Sequence, residues 1–350
     1  MKKTNVVKIG NKVIGGGNPI MVQSMLKLPP TDHKAIIDEI NELEMLGCDI
    51  IRGTIPNMEA AKVIPKIVKN TNIPFVADIH FDYKVAIEAI KNGVHKVRIN
   101  PGNIGGKERV REVVKCLKDY DIPVRIGVNS GSLEKDLLEK YGHPTPEALV
   151  ESAYRSISYF NEFGYDNIVL SIKSSDVVTT IDANRLFREK YSYPLHLGVT
   201  EAGAELGGIV RSSIGLGSLL KDGIGDTIRV SLTGDSRDEV IVGREILISL
   251  GLLDEGVRVV SCPTCGRCKT DTLSIVKEIK EKTRHIKEPI TVAVMGCAVN
   301  GPGEAKEADM GVACGDGNAV FFEKGEKVKS IKSEEIASFI LERIEERISK

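Results

Sequence analysis

Short β-branched runs alternate with amphipathic segments over about 230 residues, and no other feature restricts the possible folds so tightly. Strands are expected at PIMVQSM (19–25), CDIIRGTIP (48–56), PFVADIHF (74–81), HKVRINPG (95–102), PVRIGVN (123–129), NIVLSIK (167–173), PLHLGVTE (194–201) and TIRVSLTGD (227–235). Between them, stretches such as HKAIIDEINELEML, DYKVAIEAIKNG, ERVREVVKCLKDY and RDEVIVGREILISLGL repeat apolar residues near the helical period. Eight such units suit a (β/α)8 TIM barrel better than an open doubly wound sheet. The preceding VVKIGNKVIGGGNPI reads as a hairpin covering the barrel bottom.

After about residue 257 the rhythm changes. A strand-like VRVVS, a cysteine motif, a helix near 271–283, the strand ITVAVMGC, a hairpin at NAVFFEKGEKVKSIK and a closing helix SEEIASFILERIEERISK make a second, small α/β unit. The expected organisation is a barrel domain over 1–253 and a second domain over 254–350, in line with 350 residues at roughly 150 per domain.

In such a barrel the chemistry sits at the C-terminal strand ends. Read with a period of two, those ends place polar residues on one face and apolar residues on the other. Arg52 and Thr54 oppose Ile51 and Ile55; Asp78 and His80 flank Ile79; Arg98 and Asn100 oppose Val97 and Ile99. Arg125 and Asn129 oppose Val124, Ile126 and Val128, while Ser171 and Lys173 flank Ile172 and Arg229 and Ser231 flank Val230. The apolar face packs the outer helices, so Arg52, Arg98, Arg125, Lys173 and Arg229 converge on the barrel mouth. Taken singly, each is a strand-end residue in a solvated salt bridge. Taken together, five cations in phase call for a multiply charged anion, and arginine matches phosphate oxygens bidentately. Asp78, His80, His196 and Glu201 share that rim as acid–base or orienting candidates, with Glu201 the first choice for a carboxylate facing the substrate. The loop NPGNIGG (100–106) offers backbone N–H groups to a phosphate or is a plain turn.

The anion site must be local, because 48 Lys and Arg against 49 Asp and Glu argue against general binding to nucleic acid or an anionic membrane. No apolar core follows the N-terminal lysines and the longest apolar run, near ILISLGLL (246–253), is far too short to span a bilayer, so a cytoplasmic location is expected. In a reducing compartment clustered cysteines are metal ligands or redox groups before they are disulfides. SCPTCGRC brings Cys262, Cys265 and Cys268, and VMGCAVNGPGEA adds Cys297 with Glu304 seven residues on. This spacing fits a structural zinc as well as an iron–sulfur cluster.

CPTCGR followed by GCAVNGPGEA, with ADIHFDY, VRINPGNIG, RIGVNSGSL, LSIKSSD, LHLGVTEAG and GDTIRVSLTGD in that order, resembles the 4-hydroxy-3-methylbut-2-enyl diphosphate synthase family over about residues 5–345. The family is the reductase of the methylerythritol phosphate route to isoprenoids. The resemblance implies a TIM barrel with a small iron–sulfur domain. It implies a [4Fe-4S] enzyme that opens 2-C-methyl-D-erythritol 2,4-cyclodiphosphate by two-electron reduction and loss of water, with flavodoxin or ferredoxin as electron donor. Carried over by motif, the cluster ligands are Cys262, Cys265, Cys297 and, through oxygen, Glu304. Cys268 stands where the family has no ligand and competes with Glu304 for the fourth position; Cys48, Cys116 and Cys314 are bystanders. Binders of the cyclic diphosphate are then Arg52, Arg98, Asn100, Arg125, Asn129, Lys173, Arg229 and Ser231, with Asp78, His80 and His196 nearby and Glu201 facing the reacting carbons. With the barrel ending near 251 and the motif starting at 262, there is no room for the domain inserted in the family's longer form. The short bacterial form implies a homodimer in which the cluster domain of one subunit closes over the barrel of the other.

Overall fold

Each expected run becomes a parallel strand. After a hairpin of β1 (Val7–Ile9) and β2 (Lys12–Ile14) come β3 (Met21–Met25), β4 (Ile50–Thr54), β5 (Phe75–Asp78), β6 (Lys96–Ile99), β7 (Val124–Asn129), β8 (Ile168–Lys173), β9 (His196–Leu197) and β10 (Thr227–Ile228). These last form an 8-stranded sheet in the order β8-β7-β6-β5-β4-β3-β10-β9, and a parallel bridge between Leu170 and Leu195 joins its two edges into a barrel. This computed structural model describes residues 3–30, 32–297, 303 and 306–349. Its chain divides into two units, Met1–Leu253 and Asp254–Lys350.

The connecting helices are α1 (His33–Met45), the short pair α2 (Met58–Ala61) and α3 (Ile64–Lys69), α4 (Tyr83–Lys91), α5 (Lys107–Tyr120), α6 (Lys135–Tyr141), α7 (Pro146–Glu162), α8 (Val177–Lys190), α9 (Glu205–Lys221) and α10 (Ser236–Ser249). Aspartates start several of them. Asp32, Asp82, Asp176 and Asp235 each accept a backbone N–H of the first turn of α1, α4, α8 and α10, satisfying donors that the helix leaves open.

A (β/α)8 barrel is usually filled by layers of branched apolar residues. Here only the lowest layer is apolar: Met21, Ile50, Val76 and Val169 pack against Val7, Ile9 and Ile14 of the hairpin, which seals the bottom as the sequence suggests. The large apolar core lies outside the strands, between them and the helices. Above the lowest layer the interior turns polar, and Gln23, Lys96, Arg125, Ser171, Lys173 and His196 are all buried there.

The second unit has a 5-stranded sheet of β11 (Val257–Ser261), β12 (Ile290–Met295), β13 (Met310–Cys314), β14 (Asn318–Glu323) and β15 (Glu326–Lys332), in chain order. The first pairings, β11–β12 and β12–β13, are parallel and the rest antiparallel. Helices α11 (Thr272–Lys282) and α12 (Ile336–Ile348) supply its second apolar layer. Strand β13 is absent from the expected elements. Its sequence, MGVAC, is short and rich in small residues, and it is a strand because both of its neighbours pair with it.

Candidate functional site

The polar faces of the strand ends line a cavity of about 280 Å³ at the barrel mouth. Ten expected binders reach it: Arg52, Asp78, His80, Arg98, Asn100, Arg125, Asn129, Lys173, Arg229 and Ser231. Met25, Asn103, Ser132, Ser171 and Thr200 complete the lining. Of these, Met25, Asn103, Ser132 and Thr200 escaped the sequence reading. Asn103 lies in a loop and Ser132 in a 3-10 turn (Ser130–Ser132), where no strand period applies, and Met25 looks like any core methionine.

Charge is distributed unevenly in this pocket. Asp78 takes Arg98 (Nη1–Oδ1 3.1 Å) and Arg52 (Nε–Oδ2 3.6 Å), with His80 3.9 Å away. Burial alone would raise the Asp78 pKa, but Arg52 and Arg98 outweigh it and hold the carboxyl below its usual range. Arg229 is paired with Glu239 of α10 at 3.1 Å. Arg125 and Lys173 have no carboxylate partner among the described residues; Arg125 Nη1 donates to Gln23 Oε1 at 2.7 Å. Burial, reinforced by the neighbouring cations, pushes both Arg125 and Lys173 well below their ordinary pKa, and burial lowers Arg52 to about 10. The buried Nε atoms of Arg52, Arg98 and Arg125 and the Nζ of Lys96 find no acceptor. Buried donors without acceptors beside crowded positive charge describe a receptor for an anion.

Two glycines make room for the cations. An added Cβ at Gly127 would stand 2.6 Å from Arg98 Nη2, and one at Gly198 would stand 2.6 Å from Lys173 Nζ and 2.7 Å from the Arg229 carbonyl oxygen. Small inward residues on β7 and just after β9 are therefore part of the cation array.

Other expected site residues fall elsewhere. His196 is fully buried at the start of β9, with Nδ1 2.8 Å from Thr227 Oγ1 and no partner for Nε2. It lies in the barrel interior and is not among the cavity-lining residues. Burial first, then Arg125 and Lys173, keep it well below the ordinary histidine pKa, so it is neutral. Glu201 is exposed, follows the lining residue Thr200, and has the left-handed φ of +54° that non-glycine residues seldom adopt. Glu201 itself does not line the cavity. In the loop after β6, Asn100 Oδ1 accepts the Gly102 N–H at 3.0 Å, so that donor is spent on the turn while Asn103 lines the cavity.

The cysteine loops of the second unit leave the C-terminal ends of adjacent parallel strands, Cys262 after β11 and Cys297 after β12. Gly296 N donates to Cys262 Sγ at 3.2 Å, and an added Cβ at Gly296 would lie 2.4 Å from Cys268 Sγ and 3.5 Å from Cys262 Sγ. The Arg267 backbone N–H, then its guanidinium, lowers the Cys265 thiol pKa, which favours the thiolate a metal needs. Arg267 also lines a cavity of about 360 Å³ with Cys297 and Cys314. Cys268 Sγ is engaged by Thr270 O (3.1 Å) and Thr272 Oγ1 (3.3 Å) at the start of α11. Glu304 lies outside the described residues. Among the described residues no three metal-binding side chains converge on one ion-sized centre. Cys48, Cys116 and Cys314 are buried, and burial pushes the Cys48 thiol up to about 12 and Cys314 to about 11.

Comparison with known proteins agrees with both units. Residues 4–244 match the GcpE TIM-barrel domain and residues 258–346 the GcpE protein C-terminal domain. A 4-hydroxy-3-methylbut-2-en-1-yl diphosphate synthase (flavodoxin) of Caldanaerobacter subterraneus subsp. tengcongensis is 54% identical, covering 100% of this chain and 98% of that one. The synthase of the same name from Thermodesulfovibrio yellowstonii is 53% identical over 98% of each. Among solved structures, Yersinia pestis dihydropteroate synthase superposes with a TM-score of 0.51 at 10% identity, covering 71% of this chain and 100% of that one, a likeness of barrel fold alone. With both units matched in order and half of all residues shared with full-length relatives, the chain belongs to the GcpE family.

Proposed function

We propose that the chain is the iron–sulfur oxidoreductase that converts 2-C-methyl-D-erythritol 2,4-cyclodiphosphate to 4-hydroxy-3-methylbut-2-enyl diphosphate in isoprenoid precursor synthesis. The observation that carries this reading is the barrel-mouth cavity with more buried cations than carboxylates. Two electrons and one proton enter, water leaves, and the cleaved C–O bond turns a cyclic diphosphate diester into a terminal diphosphate with one more negative charge. The cations therefore hold the growing charge better than the initial one, which is the condition for catalysis by preorganised electrostatics.

In this reading Arg52, Arg98, Arg125, Lys173 and Arg229 bind the phosphoryl oxygens, Asn100, Asn129 and Ser231 fix the orientation, and Asp78 with His80 holds two of the arginines in place. His196 supports this array from the interior as a neutral group. Glu201, on a strained turn beside the cavity, acts on the reacting carbons as acid or as fixed charge. Cys262, Cys265, Cys297 and Glu304 hold a [4Fe-4S] cluster, with Gly296 N–H tuning the Cys262 sulfur. When bound, the cluster supplies electrons one at a time. Flavodoxin is the donor favoured by the names of the relatives, over ferredoxin. A homodimer is supported by the exposed apolar stripe of Leu206, Val210 and Ile214 along α9. No helix among the described residues is long and apolar enough to cross a membrane, which fits a cytoplasmic enzyme.

Anaerobic purification tests the reading. A brown protein with matched iron and sulfide, turning over the cyclodiphosphate with reduced flavodoxin, is expected. Colourless protein with stoichiometric zinc and no turnover would overturn it.

A further inference from the structure

Among the described residues, the one fully buried carboxylate that an outer helix sends to the barrel is Glu239, in the first turn of α10. A carboxylate near a helix N-terminus is ordinarily explained by the helix dipole. That account fails here, because the Asp235 side chain already caps α10 and the Glu239 side chain turns inward with no solvent exposure. Its two oxygens serve two neighbouring segments, β3 with the residues just after it and the chain beyond β10. Oε1 and Oε2 take Arg229 Nη2 at 3.1 and 3.2 Å, and Oε2 also takes Arg229 Nε at 3.3 Å. Oε2 accepts the Ser24 hydroxyl of β3 at 3.1 Å, Oε1 accepts the Leu232 N–H beyond β10 at 3.2 Å, and Lys27 Nζ stands 3.7 Å from Oε1.

Such reach needs α10 to lie close on the barrel wall. One turn further on, Gly243 provides this: an added Cβ there would sit 3.1 Å from Val22 Cγ1 and 3.8 Å from Ile228 Cδ1, on the two strands that flank the carboxylate. The Nε and Nη2 side of the Arg229 guanidinium is thereby occupied, and Nη1 is the part left for a ligand in the cavity that Arg229 lines.

Resting on the diphosphate reading of the barrel mouth, we infer that Glu239 is a positioning residue that reaches through the wall between β3 and β10 and fixes Arg229 so that its Nη1 side meets the bound diphosphate. The opposing pull of charge makes the inference testable. As a mere counter-ion, Glu239 would weaken diphosphate binding by neutralising Arg229, and its removal would tighten it. As a positioning group, its removal frees a long side chain whose ordering the ligand must then supply.

The test is anaerobic calorimetric titration of the holoenzyme with inorganic diphosphate, run beside steady-state kinetics. Glu239→Gln keeps shape and removes charge; binding about ten-fold weaker, with KM rising more than kcat falls, is expected from the loss of one charge-assisted anchor. Glu239→Asp, which restores the charge on a shorter stem and guards against misfolding of the first variant, should recover part of the affinity. Combining Glu239→Gln with Arg229→Met should weaken binding no further than Arg229→Met alone. Unchanged or tighter binding in Glu239→Gln, or additive losses in the double variant, would overturn the inference while leaving the diphosphate site intact. Failure of the wild-type enzyme to bind diphosphate would instead bring down the site reading and this inference with it.

Discussion

Lys173 shows how far a single residue can be held from its ordinary state. Burial, then Arg125 and Arg52, drives its pKa well below that of a free lysine, and Lys96 beneath it is depressed in the same way by burial, Arg125 and Arg52. A depressed amine regains its proton when an anion arrives, since the new negative charge raises the pKa of the bound state. The sign follows: binding takes up protons at any pH between the free and bound values, and affinity falls as pH rises from the free value to the bound one. The cyclic diphosphate suits the measurement because its diester oxygens have no proton to lose near neutrality. Calorimetric titration across a pH series, in two buffers of different ionisation enthalpy at each pH, should show a window of net proton uptake by the protein. Lys173→Met should remove most of that uptake, and net proton release on binding would refute this account of the pocket.

At the level of strands and helices, the period-two pattern made the barrel and most of its mouth readable from sequence, because alternation fixes which side chains face inward. What it could not supply was depth. His196 and Ser231 are both inward residues, yet one is sealed in the interior and the other lines the cavity, a difference set by how far along its strand each stands. Glu239 was hidden for another reason: on a helix with Asp238 and Asp235 beside it, nothing in the sequence distinguishes the carboxylate that turns inward. Glycines in strand-like runs read as weak points, whereas Gly198, just after β9, is the space into which Lys173 extends. Gly198→Ala should accordingly cost about 2 kcal/mol of stability through overpacking, since backbone as well as Lys173 is in the way. It should also weaken diphosphate binding by displacing the lysine. Thermal denaturation and titration measure the two effects, and an alanine variant with native affinity would show that Lys173 does not need its observed position.

Over the whole molecule, a net charge of −1 conceals a local imbalance, with Arg52, Lys96, Arg98, Arg125, Lys173 and Arg229 inside the barrel against few carboxylates there. The two units also keep separate apolar cores, one between barrel and helices and one between the second sheet and its helices. Folding energy that comes mainly from burial within each unit makes the ligand chemistry of one largely independent of the integrity of the other. The recognition of phosphate and the holding of iron should then be separable by mutation. Cys297→Ser is expected to lose most of the bound iron and all turnover while retaining diphosphate affinity within about two-fold, because the cations that hold the diphosphate all belong to the barrel. Arg125→Met, which keeps volume in the buried layer, should retain the iron and its visible spectrum yet weaken diphosphate binding at least ten-fold, roughly the loss of one charge-assisted hydrogen bond. Iron analysis and titration on the same anaerobic preparations read both outcomes. If Arg125→Met lost iron in proportion to diphosphate affinity while its barrel stayed folded by circular dichroism, the two units would have to stabilise one another's sites, and the separation drawn from their cores would be wrong.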